Sequence, residues 1–100
     1  MFKIEIGQEV KKDIKKLKLN RQQILKLQAK IIEIAANPLP KAEGGYGEPL
    51  AKNLKGLLKF PFDNDYRVVY QLIKTETLMK VIIIGLRSDL EVYQIAAHRQ

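Results

Sequence analysis

Apolar and polar residues alternate strictly at the start of the chain. Phe2, Ile4 and Ile6 are separated by Lys3 and Glu5, the period of two expected of a half-buried strand. The period then lengthens. Val10, Ile14 and Leu17 recur at helical spacing while Lys11, Lys12, Lys15, Lys16 and Lys18 fill the positions between, which predicts a basic amphipathic helix. After Leu19, Asn20 can cap a second helix with Gln23 three residues on. Ile24, Leu27, Ile31 and Ile34 form its buried stripe. Asn37-Pro38 ends it, because the residue before a proline is pushed out of the helical region.

Pro38 to Ala51 holds three prolines and three glycines and reads as a long surface loop. It carries neither GxGxxG nor a GKS/T element, so no phosphate-cradling loop is indicated. From Lys52, "KNLKGLLKFPF" reads as a short strand with Pro61 near its end, where the missing N–H argues for an edge position or a bulge. Asp63-Asn64-Asp65 makes a turn. Tyr66 to Ile73 is the next strand, Lys74 to Thr77 the next turn, and Leu78 to Ile84 the last strand. Apolar residues on both of its faces place that strand inside the sheet. Ser88 with Glu91 then forms a capping box, and Val92, Ile95 and Ala96 supply the stripe of a short closing helix.

The predicted order is β-α-α-β-β-β-α. Tight turns join the last three strands into a meander, so the fold class is α+β: a mainly antiparallel four-stranded sheet, an N-terminal αα-hairpin on one face and a short C-terminal helix. At 100 residues the chain is expected to be a single domain, 1–100.

Composition narrows the function. A hydrophobic content of 46% with 29% charged residues belongs to a globular chain with a small core. The longest apolar run, Val81 to Ile84, is far short of the ~20 residues of a membrane helix. "MFKIEIGQEV" lacks the apolar centre of a signal peptide, so a cytoplasmic protein with no membrane partner is expected. With no cysteine and one histidine, His98, a metal site is not expected, nor is any cofactor. Eighteen basic residues against eleven acidic ones give a net charge of +7, which points to a polyanionic partner or to solubility alone.

The cations are not scattered evenly. Arg67 lies on the Tyr66 to Ile73 strand and Arg87 just past the end of the following one. A short hairpin brings the start of one strand beside the end of its neighbour, so two guanidiniums can clamp a phosphate there. Lys52, Lys55 and Lys59, on or near the preceding strand, extend the positive surface as candidate RNA contacts. Tyr93, in the last helix, can stack on a base beside those cations, a common way of holding single-stranded RNA. The alternative is that the arginines are rim charges and Tyr93 packs the helix down. His98, near the chain's end, reads as a surface residue.

"LKG", "DYRVVYQL" and "GLRSDLEVYQIAAHR" resemble the C-terminal half of RelE toxins in the RelE/ParE superfamily, and the element order is similar over nearly the whole chain. The resemblance implies a toxin held inactive by a RelB-like antitoxin. Such a toxin enters the ribosomal A site and cuts mRNA without a metal, inhibiting translation. It also implies catalytic roles for Arg67, Arg87, Tyr93 and Lys59, the last being the first basic position of the family's K/R-x-K/R strand. The second basic position is Pro61 here, which opens the question of the general base.

The residue types suit that chemistry. RNA breaks when its 2′-hydroxyl loses a proton and attacks the adjacent phosphate in line, and a protein assists by alignment, proton transfer and charge stabilisation. Arginine serves the charge but not the proton transfer, whereas a lysine set among cations can exchange protons. Lys59 is therefore the preferred base, with Lys52 or Lys55 as substitutes. Two rivals stand beside this reading: a ParE-like toxin that acts on DNA gyrase by protein contact, and a binding module without activity.

Overall fold

In the computed structural model, residues 1–50, 56–86 and 91–99 are described, apart from the side chains at 91–93 and 97. Strand β1 (Lys3–Ile6) leads into α1 (Gln8–Lys16) and α2 (Arg21–Ala35). The predicted capping box starts α2: Asn20 Oδ1 accepts the Gln23 N–H at 2.8 Å, and Gln23 Oε1 accepts the Asn20 N–H at 2.9 Å. Four strands follow, β2 (Glu48–Pro49), β3 (Leu57–Phe62), β4 (Tyr66–Ile73) and β5 (Leu78–Leu86), and then helix α3 (Glu91–Arg99).

The sheet runs β1-β5-β4-β3-β2. Only β1 and β5 are parallel; the other neighbours are antiparallel. Five strands replace the expected four because Glu48 and Pro49, read as loop, pair with Lys59 and Leu58. Two residues are too few to show a period. Strand β3 begins at Leu57 rather than Lys52, behind a left-handed Gly56 at φ 83°, and Lys52 to Lys55 lie outside the described residues. Strand β5 runs two residues past Ile84, to Leu86.

Each face of the sheet has its own apolar cluster. Toward α1 and α2, Leu58, Phe60, Phe62, Val68, Tyr70, Met79, Val81 and Ile84 pack with Val10, Leu27, Ile31 and Ile34. Toward α3, Leu57, Val69, Ile82 and Ile83 pack with Ala96. Ile82 and Ile83 face the same way because the β4–β5 register slips between Val69 and Tyr70, leaving Ile82 as the extra residue of a bulge. On α3, Ala96 is buried but Ile95 is 36% exposed, so the apolar stripe expected there is narrower. Ser88 lies outside the described residues, and so does the Val92 side chain.

The segment read as a long loop is tied down by one buried hydrogen bond. The Tyr70 hydroxyl donates to the Pro38 carbonyl at 2.6 Å, and a Cβ at Gly47 would overlap that hydroxyl, so the chain passes Tyr70 where only glycine fits. Asn37 Nδ2 donates to the Gly44 carbonyl at 3.1 Å and closes the loop on itself. Tyr70→Phe leaves a buried carbonyl without its donor and should destabilise the fold by about 1–3 kcal/mol, which a melting curve measures. Burial also holds the Tyr70 phenol far above its ordinary pKa. An acid whose folded pKa is raised contributes its stability in full below the unfolded value of ~10 and loses it as pH climbs above that. The parent should therefore lose stability more steeply above about pH 10 than Tyr70→Phe does.

Candidate functional site

Register decides which of the candidate residues meet. Lys59 stands opposite Val69, and Pro61 opposite Arg67. Directly opposed residues of an antiparallel pair share a face, and Val69 belongs to the cluster under α3. Lys59, Pro61 and Arg67 are therefore on the face away from the helical hairpin. Lys59 and Arg67 are diagonal neighbours there, about 7–8 Å apart in an antiparallel ladder. Both are half-buried. On its other side Arg67 pairs with Gly85, so its row carries a proline, a cation and a glycine.

The remaining candidates are less defined. Arg87 lies outside the described residues, two positions beyond the Gly85 that pairs with Arg67. Lys52 and Lys55 also lie outside them. The backbone of Tyr93 is within α3, one turn before the buried Ala96, and its side chain lies outside the described residues. His98 is exposed, as expected.

Pro61 does not interrupt the pairing of its strand with β4. The β3–β4 register is unbroken from Leu57 to Phe62, and β2 pairs only as far as Lys59. The missing N–H thus falls where β3 has no second neighbour among the described residues, the edge position expected of it. Pro61 also lines two shallow openings, of about 240 Å³ with Tyr46, Glu48 and Phe60, and of about 280 Å³ with Phe62, Asp63 and Asn64. Lys30 borders both.

Two residues of consequence escaped the sequence reading, Asp13 and Arg99. The Arg99 guanidinium binds Asp13 through both Nη atoms, at 2.7 and 3.1 Å, and that bond chiefly raises its pKa further. The signal was a lone acid in "KKDIKK", three residues after the buried Val10. Among the described residues no group of three or more His, Asp or Glu is gathered to hold a metal ion.

A family model for the ParE toxin of type II toxin-antitoxin systems, parDE, matches residues 4–91. The chain belongs to that family. It is a toxin of the RelE/ParE group, with the α+β fold of its solved members. A doubly arginine-to-alanine substituted E. coli toxin RelE in the free state matches with a TM-score of 0.76 at 23% identity, over 98% of this chain and 96% of that one. A metal-bound toxin from Helicobacter pylori matches at 0.68 and 28% identity, over 90% and 99%. The toxin of the intact E. coli RelBE complex matches at 0.68 and 20%, over 89% and 100%. No curated protein sequence matches the chain.

Because position 61 faces the same way as Arg67, a cation placed there joins the site. Pro61→Arg should tighten binding of single-stranded RNA and steepen its salt dependence by about one phosphate contact. Like charges set directly opposite each other should destabilise the sheet by about 0.2–1 kcal/mol. Fluorescence titration across salt concentrations, with a melting curve, checks both.

Proposed function

We propose that this toxin is a ribosome-dependent endoribonuclease that cuts mRNA and inhibits translation, and that a RelB-like antitoxin neutralises it. The observation that carries the reading is the diagonal pair Lys59 and Arg67, on the sheet face that α3 also packs against. Arg67 and Arg87 bind the reacting phosphate and stabilise the charge that gathers on it in the transition state. Lys59, as the neutral amine, accepts the proton of the 2′-hydroxyl, and a second basic residue at position 61 would otherwise share the proton transfer. Tyr93 orients a splayed base, and Lys52 and Lys55 extend the RNA contacts. The chemistry uses the chain's own side chains.

The antitoxin assignment draws on the family, whose members come from toxin-antitoxin pairs. It draws also on solved complexes of similar toxins, E. coli RelBE and Mycobacterium tuberculosis RelBE2. Lys11, Lys12, Lys15, Lys16 and Lys18 form no ion pair among the described residues, and an acidic partner neutralises such a surface. Co-expression with the product of the adjacent reading frame should give a complex that elutes as one species.

Two observations favour a second reading. The matching family model is that of ParE, and Pro61 puts an uncharged ring where RelE has a second cation. A ParE-like toxin that acts by protein contact without cutting RNA fits that departure. Induction in bacteria with mapping of mRNA ends separates the two: codon-phased cuts support the nuclease, and DNA damage without cuts supports the ParE reading.

Within the nuclease reading, Arg67→Ala should lower single-turnover cleavage on programmed ribosomes by on the order of 10²–10³-fold. A melting curve distinguishes this from loss of fold. Lys59→Ala should lower the chemical step and change its pH profile. If the variant only weakens binding, in a way that added salt reproduces, Lys59 is an RNA contact and not the base.

A further inference from the structure

Asp13 and Arg99 meet at the outer edge of β5. The pairing of β1 with β5 ends at Val81, so beyond it the backbone groups of β5 have no neighbouring strand on that side among the described residues. Side chains complete the ladder instead. Asp13 Oδ2 accepts the Ile84 N–H at 3.3 Å, and Arg99 Nη1 donates to the Ile82 carbonyl at 3.0 Å. The two side chains join through the bidentate pair, and Arg99 Nε reaches Glu9 at 2.8 Å. Asp13 is 12% exposed and Arg99 20%, against 62% for Glu9, so the Asp13 contact is the one shielded from water and salt.

Among its described side chains, α3 is anchored at Ala96 and at Arg99. A helix of nine residues does not hold itself in water. Among its described side chains only Ala96 is buried in the sheet's apolar cluster, one small residue near the middle. Arg99 secures the last turn, and it does so against α1 and β5 together. Attachment at its end adds to the Ala96 contact and restrains rotation of the helix about that residue.

The geometry points to Arg99 as a positioning residue of the toxin: through Asp13 and the open edge of β5 it fixes α3, which carries Tyr93, relative to the sheet face that bears Lys59 and Arg67. The inference goes beyond the nuclease reading and does not require it, since any toxic action that uses this face depends on where α3 sits. Arg99→Met keeps an unbranched apolar stem and removes every hydrogen bond. Arg99→Lys keeps the charge and loses the fork.

Growth inhibition at equal expression and amide hydrogen exchange of the purified toxin test it together. In Arg99→Met, exchange within α3 should rise on the order of 10–100-fold while β4 and β5 amides keep parental rates, and toxicity should fall about tenfold or more. Arg99→Lys should be intermediate in both. Unchanged exchange in α3 overturns the inference, as does faster exchange in α3 with full toxicity. Equal acceleration in β4 and β5 overturns it too, by making the pair a support of the whole fold. Cleavage of mRNA by the parent is scored separately: its absence removes the nuclease reading and leaves the other two measurements to judge Arg99.

Discussion

The extra residue in β5 governs both cores. Where the register steps from Val69↔Ile83 to Tyr70↔Val81, Ile82 is left without a partner. A shift of one residue inverts every side chain beyond it. Without the step, Met79 and Val81 would turn away from the helical hairpin, and Lys80 would turn into it. With it, Met79 and Val81 are buried under the hairpin. Lys80 stands on the opposite face beside Glu5, 4.0 Å from its carboxylate. Ile82 and Ile83 then lie side by side beneath α3, so one irregularity keeps a charge out of one core and builds the other.

The same strand supplies the edge that holds α3. Its outer groups at Ile82 and Ile84 are taken by Arg99 and Asp13, which also protects a length of strand otherwise open to pairing with another chain. Among the described residues the cluster under α3 has five buried members and the one on the hairpin side fourteen. Among the described residues α3 enters that cluster through Ala96, and Arg99 ties its end to α1 and β5.

Most of the fold was legible because its elements are long enough to show a period. The strand Tyr66–Ile73, the cap at Asn20 and the stripe Leu27, Ile31 and Ile34 all stand where the pattern put them. The pattern failed where the structure depends on contacts distant in sequence. Glu48 and Pro49 became a strand only because β3 offers Leu58 and Lys59 to pair with. The bulge left no trace in "VIIIG", since every residue there is apolar whichever way it points. Asp13 looked like one more solvated charge on a helix of lysines, and its partner is 86 positions away. For the site, the apolar pattern put Lys59 and Arg67 on or near successive strands, whereas the face they share and their diagonal placement needed the register.

Pro61 shows how the fold and the chemistry separate. A proline inside a strand ordinarily breaks the ladder. Here it lies beyond Lys59, where the described pairing with β2 stops, and the pairing with β4 continues through it to Phe62. Where the RelE pattern has a second cation, the paired ladder here holds an uncharged ring opposite Arg67. On the nuclease reading proposed above, the described basic residues of the site are then Lys59 and Arg67, set diagonally, with Pro61 between Lys59 and the end of its strand.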